Sequence, residues 1–222
     1  LSTAADPYAS TDATIVQLRD LFVSLGKDLV KEHAWSQLTR PAVYTTTAGL
    51  PLYSLPPSFD RHIPQTVWDR SNDVRPGPIG GPEFQRLKAW GLSTAGYIFV
   101  RFTAQGVSLY PDSGTPGGVE FAFEYVSSYW VAATGLPTLG TKEAPTLSSD
   151  VPLYDEELLV KGLKLYWRRE KGFDAVEAER AYNSRLEKLR SADAPGGVLS
   201  MNRRENTQLL GEHNIPPTGW GT

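Results

Sequence analysis

Three histidines, His33, His62 and His213, are the side chains best suited to proton transfer or metal ligation, and their placement favours neither. They lie far apart, none in the H-x-x-x-H spacing that sets two imidazoles on one helix face. With no cysteine in the chain, thiolate chemistry and disulfides are excluded, and a zinc site would have to combine scattered imidazoles with carboxylates. The stretch Gly135-Leu136-Pro137-Thr138-Leu139-Gly140-Thr141-Lys142 has the outline of a phosphate-binding loop. Such a loop works by opening a helix N-terminus while its Lys reaches the phosphates. Here Lys and Thr stand in the reverse order, no apolar strand runs into the segment, and Pro145 follows closely, so it reads as a plain loop. No G-x-S-x-G element occurs, and no serine lies beside a His-containing segment. Glu120 and Glu124 fall on one face of a strand pattern, which suits the solvated side of a sheet better than an acid–base pair. The sequence predicts neither an enzyme nor a cofactor.

Six tryptophans could form a platform for stacking sugars. Most stand where a core calls for them: Trp35 and Trp90 in or near amphipathic helices, Trp68 in a strand, Trp167 on a helix stripe. Trp220, near the end of a polar tail, has no such role and reads as an anchor for a pocket on another chain. The pairs Arg168-Arg169 and Arg203-Arg204 could meet acidic partners or a DNA backbone, but neighbours on a helix diverge by about 100° and make no single patch, so a solvated face is the simpler reading. From Val151 to Thr222 there are eleven Lys/Arg and eleven Asp/Glu, and the formal net charge of the 222 residues is -3. Strong non-specific affinity for nucleic acid, which needs clustered cations, is not expected.

The elements that must position these residues follow from periodicity. Ile15, Leu18, Phe22, Leu25 and Leu29 recur at helical spacing between Ala13 and about His33, with Thr11 or Asp12 as cap and Gly26 the one weak point inside. After Arg40-Pro41 the pattern turns β-like. Val43–Thr47 and Leu52–Leu55 read as a hairpin across Ala48-Gly49-Leu50-Pro51, Ile63–Arg70 as a further strand, and Arg75–Pro82 as irregular chain. Pro82 opens a short helix with Phe84, Leu87 and Trp90 on one side. Tyr97–Phe102, Val107–Tyr110 and the alternating Val119–Tyr125 read as three antiparallel strands, and with the first hairpin they make a sheet or small sandwich. From Pro152 the helical period returns with Leu158, Leu159, Leu163, Tyr166 and Trp167, and Gly172 ends that helix. Asp174 with Glu177 caps the next, whose stripe is Ala175, Ala178, Tyr182, Leu186 and Leu189.

At this length the chain can bury one core, or one core and an appendage. The N-terminus has neither a basic nor an apolar leader region, and no apolar run approaches roughly 18 residues, so the chain reads as soluble, unsecreted and without a membrane partner. The lack of an initiator Met points to processing or trimming, with room for an upstream segment. The last 25 or so residues carry too few apolar groups to offset their own ordering entropy, and are expected to order only on something outside their own fold.

An N-terminal helix ending near Trp35 is followed by a Thr-rich strand (Thr45-Thr46-Thr47) and a Tyr-x-Leu-Pro turn (Tyr53–Pro56). Then come a Trp-bearing strand (Trp68), Gly77-Pro78-Ile79-Gly80 before a Trp-bearing helix (Trp90), a strand ending in Tyr110-Pro111, and Phe123-Glu124-Tyr125. In this order they resemble the head-to-tail adaptor (connector) proteins of tailed bacteriophages, the group that includes tail tubular protein A. The resemblance spans about residues 13–195, and no motif matches the tail beyond. It implies an α+β fold in which a helical bundle from residues 1–40 and 152–195 carries an inserted antiparallel β-rich domain, 41–131. From the residues themselves, 132–151, without period and rich in Gly, Pro, Thr and Ser, reads as a loop, and 196–222 as an extended C-terminal tail.

It further implies a structural virion protein at the head-to-tail interface, present in the host cytoplasm during assembly. Such a protein forms a ring, a dodecamer in the family, beneath the portal protein; it extends the DNA channel, through which DNA passes without sequence-specific binding, and attaches tail or nozzle proteins. Arg168, Arg169, Arg203, Arg204, Ile215 and Trp220 are then the candidates for contact with the portal or a neighbouring subunit. The alternatives are a tail tube or nozzle subunit and, from another class, a carbohydrate-binding module resting on Trp68 or Trp90.

Overall fold

The computed structural model describes residues 6–91, 97–111, 115–133 and 139–193. The N-terminal helix and the two C-terminal helices pack together, and antiparallel sheets are inserted between them, an α+β arrangement. Helix α1 (Ala13–Glu32) begins where the Asp12 carboxylate accepts bonds from the backbone N–H groups of Thr14 (2.7 Å) and Ile15 (3.3 Å). Helix α3 (Glu156–Glu170) is capped in the same way by Asp155, which accepts from Leu158 N–H at 2.9 Å. Its C-terminus closes as a Schellman turn: Phe173 N–H bonds Arg168 O, Gly172 N–H bonds Arg169 O, and Gly172 takes the left-handed conformation that the turn needs. Helix α4 (Val176–Asp193) then runs back along α3, with the Asp174 carboxylate accepting from Val176 N–H.

Gly26 is a contact and not a weakness. The indole of Trp130 lies over it, so that a Cβ there would fall 2.2 Å from the ring. Gly162 in α3 plays the matching part, facing Leu25 and Tyr182. Two small residues on facing helices let α1, α3 and α4 close around Leu25, Leu29, Leu158, Leu159, Leu186 and the fully buried Trp130.

The inserted block holds β1 (Thr39–Thr45), β2 (Leu52–Tyr53), β3 (Phe59–His62), β4 (Trp68–Asp69), α2 (Gly81–Trp90), β5 (Phe99–Thr103), β6 (Gly106–Tyr110) and β7 (Glu120–Ser127). Strands β1, β7 and β3 lie side by side with β4 also paired to β7, and β2, β6 and β5 form a second sheet. The expected hairpin of 43–47 with 52–55 is therefore not made. Strand β1 pairs with β7 and β2 with β6, so the two segments enter different sheets. The strand expected over Ile63–Arg70 is replaced by β3 and β4, short pieces on either side of Gln65, a non-glycine residue at φ 67°. The sheets enclose Val67, Val100, Val107, Leu109, Phe121 and Phe123. Helix α2 covers the outside of the second sheet: the Phe84 ring meets Tyr110 edge-on at 6.3 Å, and the Arg101 guanidinium lies 5.3 Å from the Phe84 centroid.

Strand β7 joins the two cores. Phe121, Phe123 and Tyr125 face the sandwich, while Val126, on the opposite face, enters the helical core. The segment 132–151, expected as an unstructured loop, has its ends fastened by β8 (Val131–Ala132) pairing with β9 (Val151–Pro152). Inside it the Asp150 carboxylate accepts from Lys142 Nζ (2.8 and 2.9 Å), Thr146 N–H (2.7 Å) and Leu147 N–H (3.0 Å). These donors, Lys142 first, hold its carboxyl well below the usual carboxylate range. Among the described residues no helix is long and apolar enough to cross a membrane.

Candidate assembly surfaces

The side chains singled out for chemistry are dispersed. His33 Nε2 lies 3.3 Å from Asp193 Oδ2 and its ring meets Trp35 edge-on at 4.9 Å. His62 stacks on Phe102 at 4.3 Å, where burial pushes its pKa down. Among the described residues no group of three His, Cys, Asp or Glu is placed to hold a metal ion. Glu120 pairs with Arg70 at 3.1 Å, and Glu124 stands exposed on the same face.

Arg168 and Arg169 are occupied by the α3–α4 turn itself. Arg168 donates to Asp174 O (3.1 Å), and Arg169 pairs with Glu179 (3.0 Å). Both fasten the helical hairpin, and both keep their charge at the surface. Arg203, Arg204, Ile215 and Trp220 lie outside the described residues, as does His213.

The end of the bundle beside the sandwich is densely hydrogen-bonded, with Trp130 Nε1 and Arg190 Nε the buried side-chain nitrogens left without a partner among the described residues. Arg61, from β3, donates to the terminal carbonyls of α1 at Val30 (2.9 Å) and His33 (3.0 Å); Trp35 Nε1 donates to Leu29 O (2.8 Å), and Arg190 donates to Glu32 O (3.1 Å). Orphan carbonyls at a helix C-terminus are thus met by side chains from three other places. Asp193, at the end of α4, accepts from Ser36 N–H at 3.0 Å. Arg185 clamps Asp155 with two parallel bonds (3.0 and 2.8 Å) and also reaches Glu157 (3.1 Å). The Asp155 carboxyl is held down chiefly by the Arg185 bonds, which outweigh its partial burial.

The opposite end is not closed. Ile15, Val16, Leu18, Leu21, Phe22 and Val23, in the first half of α1, are all only half-buried, whereas Leu25, Gly26, Leu29 and Val30 are buried. Lys171 Nζ bonds Gln17 at 2.8 Å, which sets the α3–α4 turn beside this half of α1. That turn exposes Phe173 (64%) and Val176 (56%). Helix residues that are apolar over so wide an arc are ordinarily covered on more than one side.

The sandwich has two further open faces. Val43, Ala122 and Trp68 stand opposite one another across β1, β7 and β4, and form an apolar row on the side away from the core. Beside it a groove of about 320 Å³ is lined by Pro41, Gln65, Thr66, Trp68, Arg70 and Glu124. Trp68 is 39% exposed and Trp90, on α2, 63%, so neither takes the core place expected of it. Each carries an arginine over its ring, Arg75 at 5.6 Å and Arg86 at 5.1 Å from the centroid. A second groove of about 300 Å³, lined by Trp35, Gln37, Leu153, Tyr154, Leu189 and Asp193 among others, opens where α4 ends.

Periodicity did not reveal Trp130, Arg61 or Arg185 as organising residues. The glycines at 26 and 162, each inside a helical pattern, were the available signal of something large packed against the backbone. No protein-family model matches the chain, and no curated protein matches it.

Proposed function

We propose that the chain is a head-to-tail adaptor of a tailed-bacteriophage virion, a subunit of a ring, dodecameric as in the family it resembles, that docks on the portal protein, extends the DNA channel and attaches the tail or nozzle. One observation carries this: a helix, an inserted sandwich and a helical hairpin, in that order, with the three helices in one bundle closed through Gly26 and Gly162 and the sandwich projecting from one end. That is the architecture the motif order implies. The open apolar end of the bundle suits side-by-side packing of copies, where each neighbour covers Ile15–Val23, Phe173 and Val176. The segment after Asp193 reaches the portal, and the sandwich meets the tail proteins. A net charge of -3 suits a channel wall along which DNA slides. Removing Val198–Thr222 is the test: the truncated chain keeps the thermal transition of the full chain and loses attachment to the portal. Normal decoration of portal complexes by the truncated chain contradicts the assignment of the tail.

The exposure of Trp68 and Trp90 favours a second reading, a carbohydrate-binding module. Retention on a polysaccharide matrix that is lost in Trp68→Ala, by a chain that stays monomeric with a portal present, would establish it in place of the first.

A further inference from the structure

The two open faces of the sandwich have opposite shapes. Its layers run, from one side to the other, from the apolar row and groove on the β1–β7–β4 sheet, through the shared core, to the β2–β6–β5 sheet and then α2. On α2, Phe84 points into the sheet, and Trp90, six residues on and roughly 120° round the helix, points away from it. The groove is therefore on one side of the block and a protruding indole on the other.

The chemistry of the two faces is complementary as well. The groove has an indole wall in Trp68, the small Ala122 beside it and a carboxylate, Glu124, that makes no ion pair among the described residues. The knob offers an indole and, over its face, the Arg86 guanidinium, whose partner within the chain is Glu83 at a loose 3.8 Å, with both side chains more than half exposed. A buried tryptophan contributes about 150–250 Å² of contact, and a groove of about 320 Å³ can take one indole.

We infer that the Trp90–Arg86 knob of one copy seats in the Trp68–Glu124 groove of the next. Because the two patches differ and face opposite ways, the contact is heterologous: each copy gives a knob and receives one, which propagates an array that closes into a ring when the rotation per copy divides the circle. Trp and Arg are also the residues most often found at the energetic centre of such interfaces. This rests on the ring reading above and names the contact between neighbours within it.

The absence of cysteine makes the test clean. Glu124→Cys and Arg86→Cys are placed in one chain, the protein is assembled on portal complexes beside wild type, and a short bismaleimide is added. A ladder of covalent oligomers from the double variant, with neither single variant giving more than background, is the expected result. Trp90→Ala is expected to raise the concentration needed for rings at least tenfold, and Glu124→Arg to be rescued by Arg86→Glu. Wild-type rings with no ladder, or a dimer from Glu124→Cys alone, overturn the knob-and-groove contact and leave the ring reading standing. No wild-type ring on the portal overturns the ring reading, and this contact with it.

Discussion

The two ends of the helical bundle are built from similar residues and finished differently. Beside the sandwich, the carbonyls of Leu29, Val30, Glu32 and His33 at the end of α1 are met by side chains, Tyr154 packs against both Trp35 and Trp130, and Asp155 and Asp193 are held by partners distant in sequence. At the far end Ile15 and Leu18 continue the same apolar stripe, yet neither is buried, and Phe173 and Val176 stand out from the turn. A helix stripe is only half of a contact. Where the chain supplies the other half the end is finished, and where it does not, apolar surface remains, which under the proposed ring a neighbour would cover. The contrast separates stability from assembly: the near end should carry the first and the far end the second.

Trp130→Ala strikes hardest at that division. It empties a fully buried indole site against Gly26, Phe22 and Tyr154 and should cost about 3–5 kcal/mol of stability in urea unfolding. A loss within experimental error would mean the near end is not the stability core. Gly26→Val comes next at about 1–3 kcal/mol, since its Cβ would meet the indole at 2.2 Å and the neighbours must shift. A neutral result would place Trp130 elsewhere.

Asp155→Asn keeps a capping side chain and removes the charge that Arg185 grips, for an expected loss of about 1 kcal/mol at neutral pH. The folded Asp155 carboxyl titrates below its unfolded value, so its contribution is present in full above about pH 4 and is lost as pH falls through the folded value. The gap between wild type and Asp155→Asn should therefore narrow below pH 4, as followed by thermal unfolding across pH. A gap that widens there reverses the assignment. Phe173→Ser, at the far end, should change stability by less than about 0.5 kcal/mol while it impairs ring formation in sedimentation with the portal. Marked destabilisation would show that the turn is part of the chain's own core.

The helices were legible because their signals are local. The 3.6-residue period, Asp12 as a cap and Gly172 as stop all act within a few residues of where they stand, whereas Asp155 proves to be the N-cap of a helix expected to start from Pro152. Strand partners were not, because pairing is a choice made across the chain: nothing between Val43 and Leu55 says that β1 will meet β7, some eighty residues on, and β2 will meet β6. The same limit hid the candidate surfaces. Trp68 and Trp90 have the residue type and spacing of core positions, and only the placement of β4 on an outer face and of α2 over the second sheet leaves them exposed. Arg61 reads as an ordinary strand charge until β3 is seen to end against the terminus of α1.

Electron microscopy of the purified chain mixed with portal complexes decides whether it is, as proposed, a ring-forming adaptor between portal and tail. The expected image is a ring of copies seated below the portal, coaxial with its channel, bundles side by side and sandwiches directed away from the head. Portal particles that remain undecorated at saturating concentrations of the chain would contradict it.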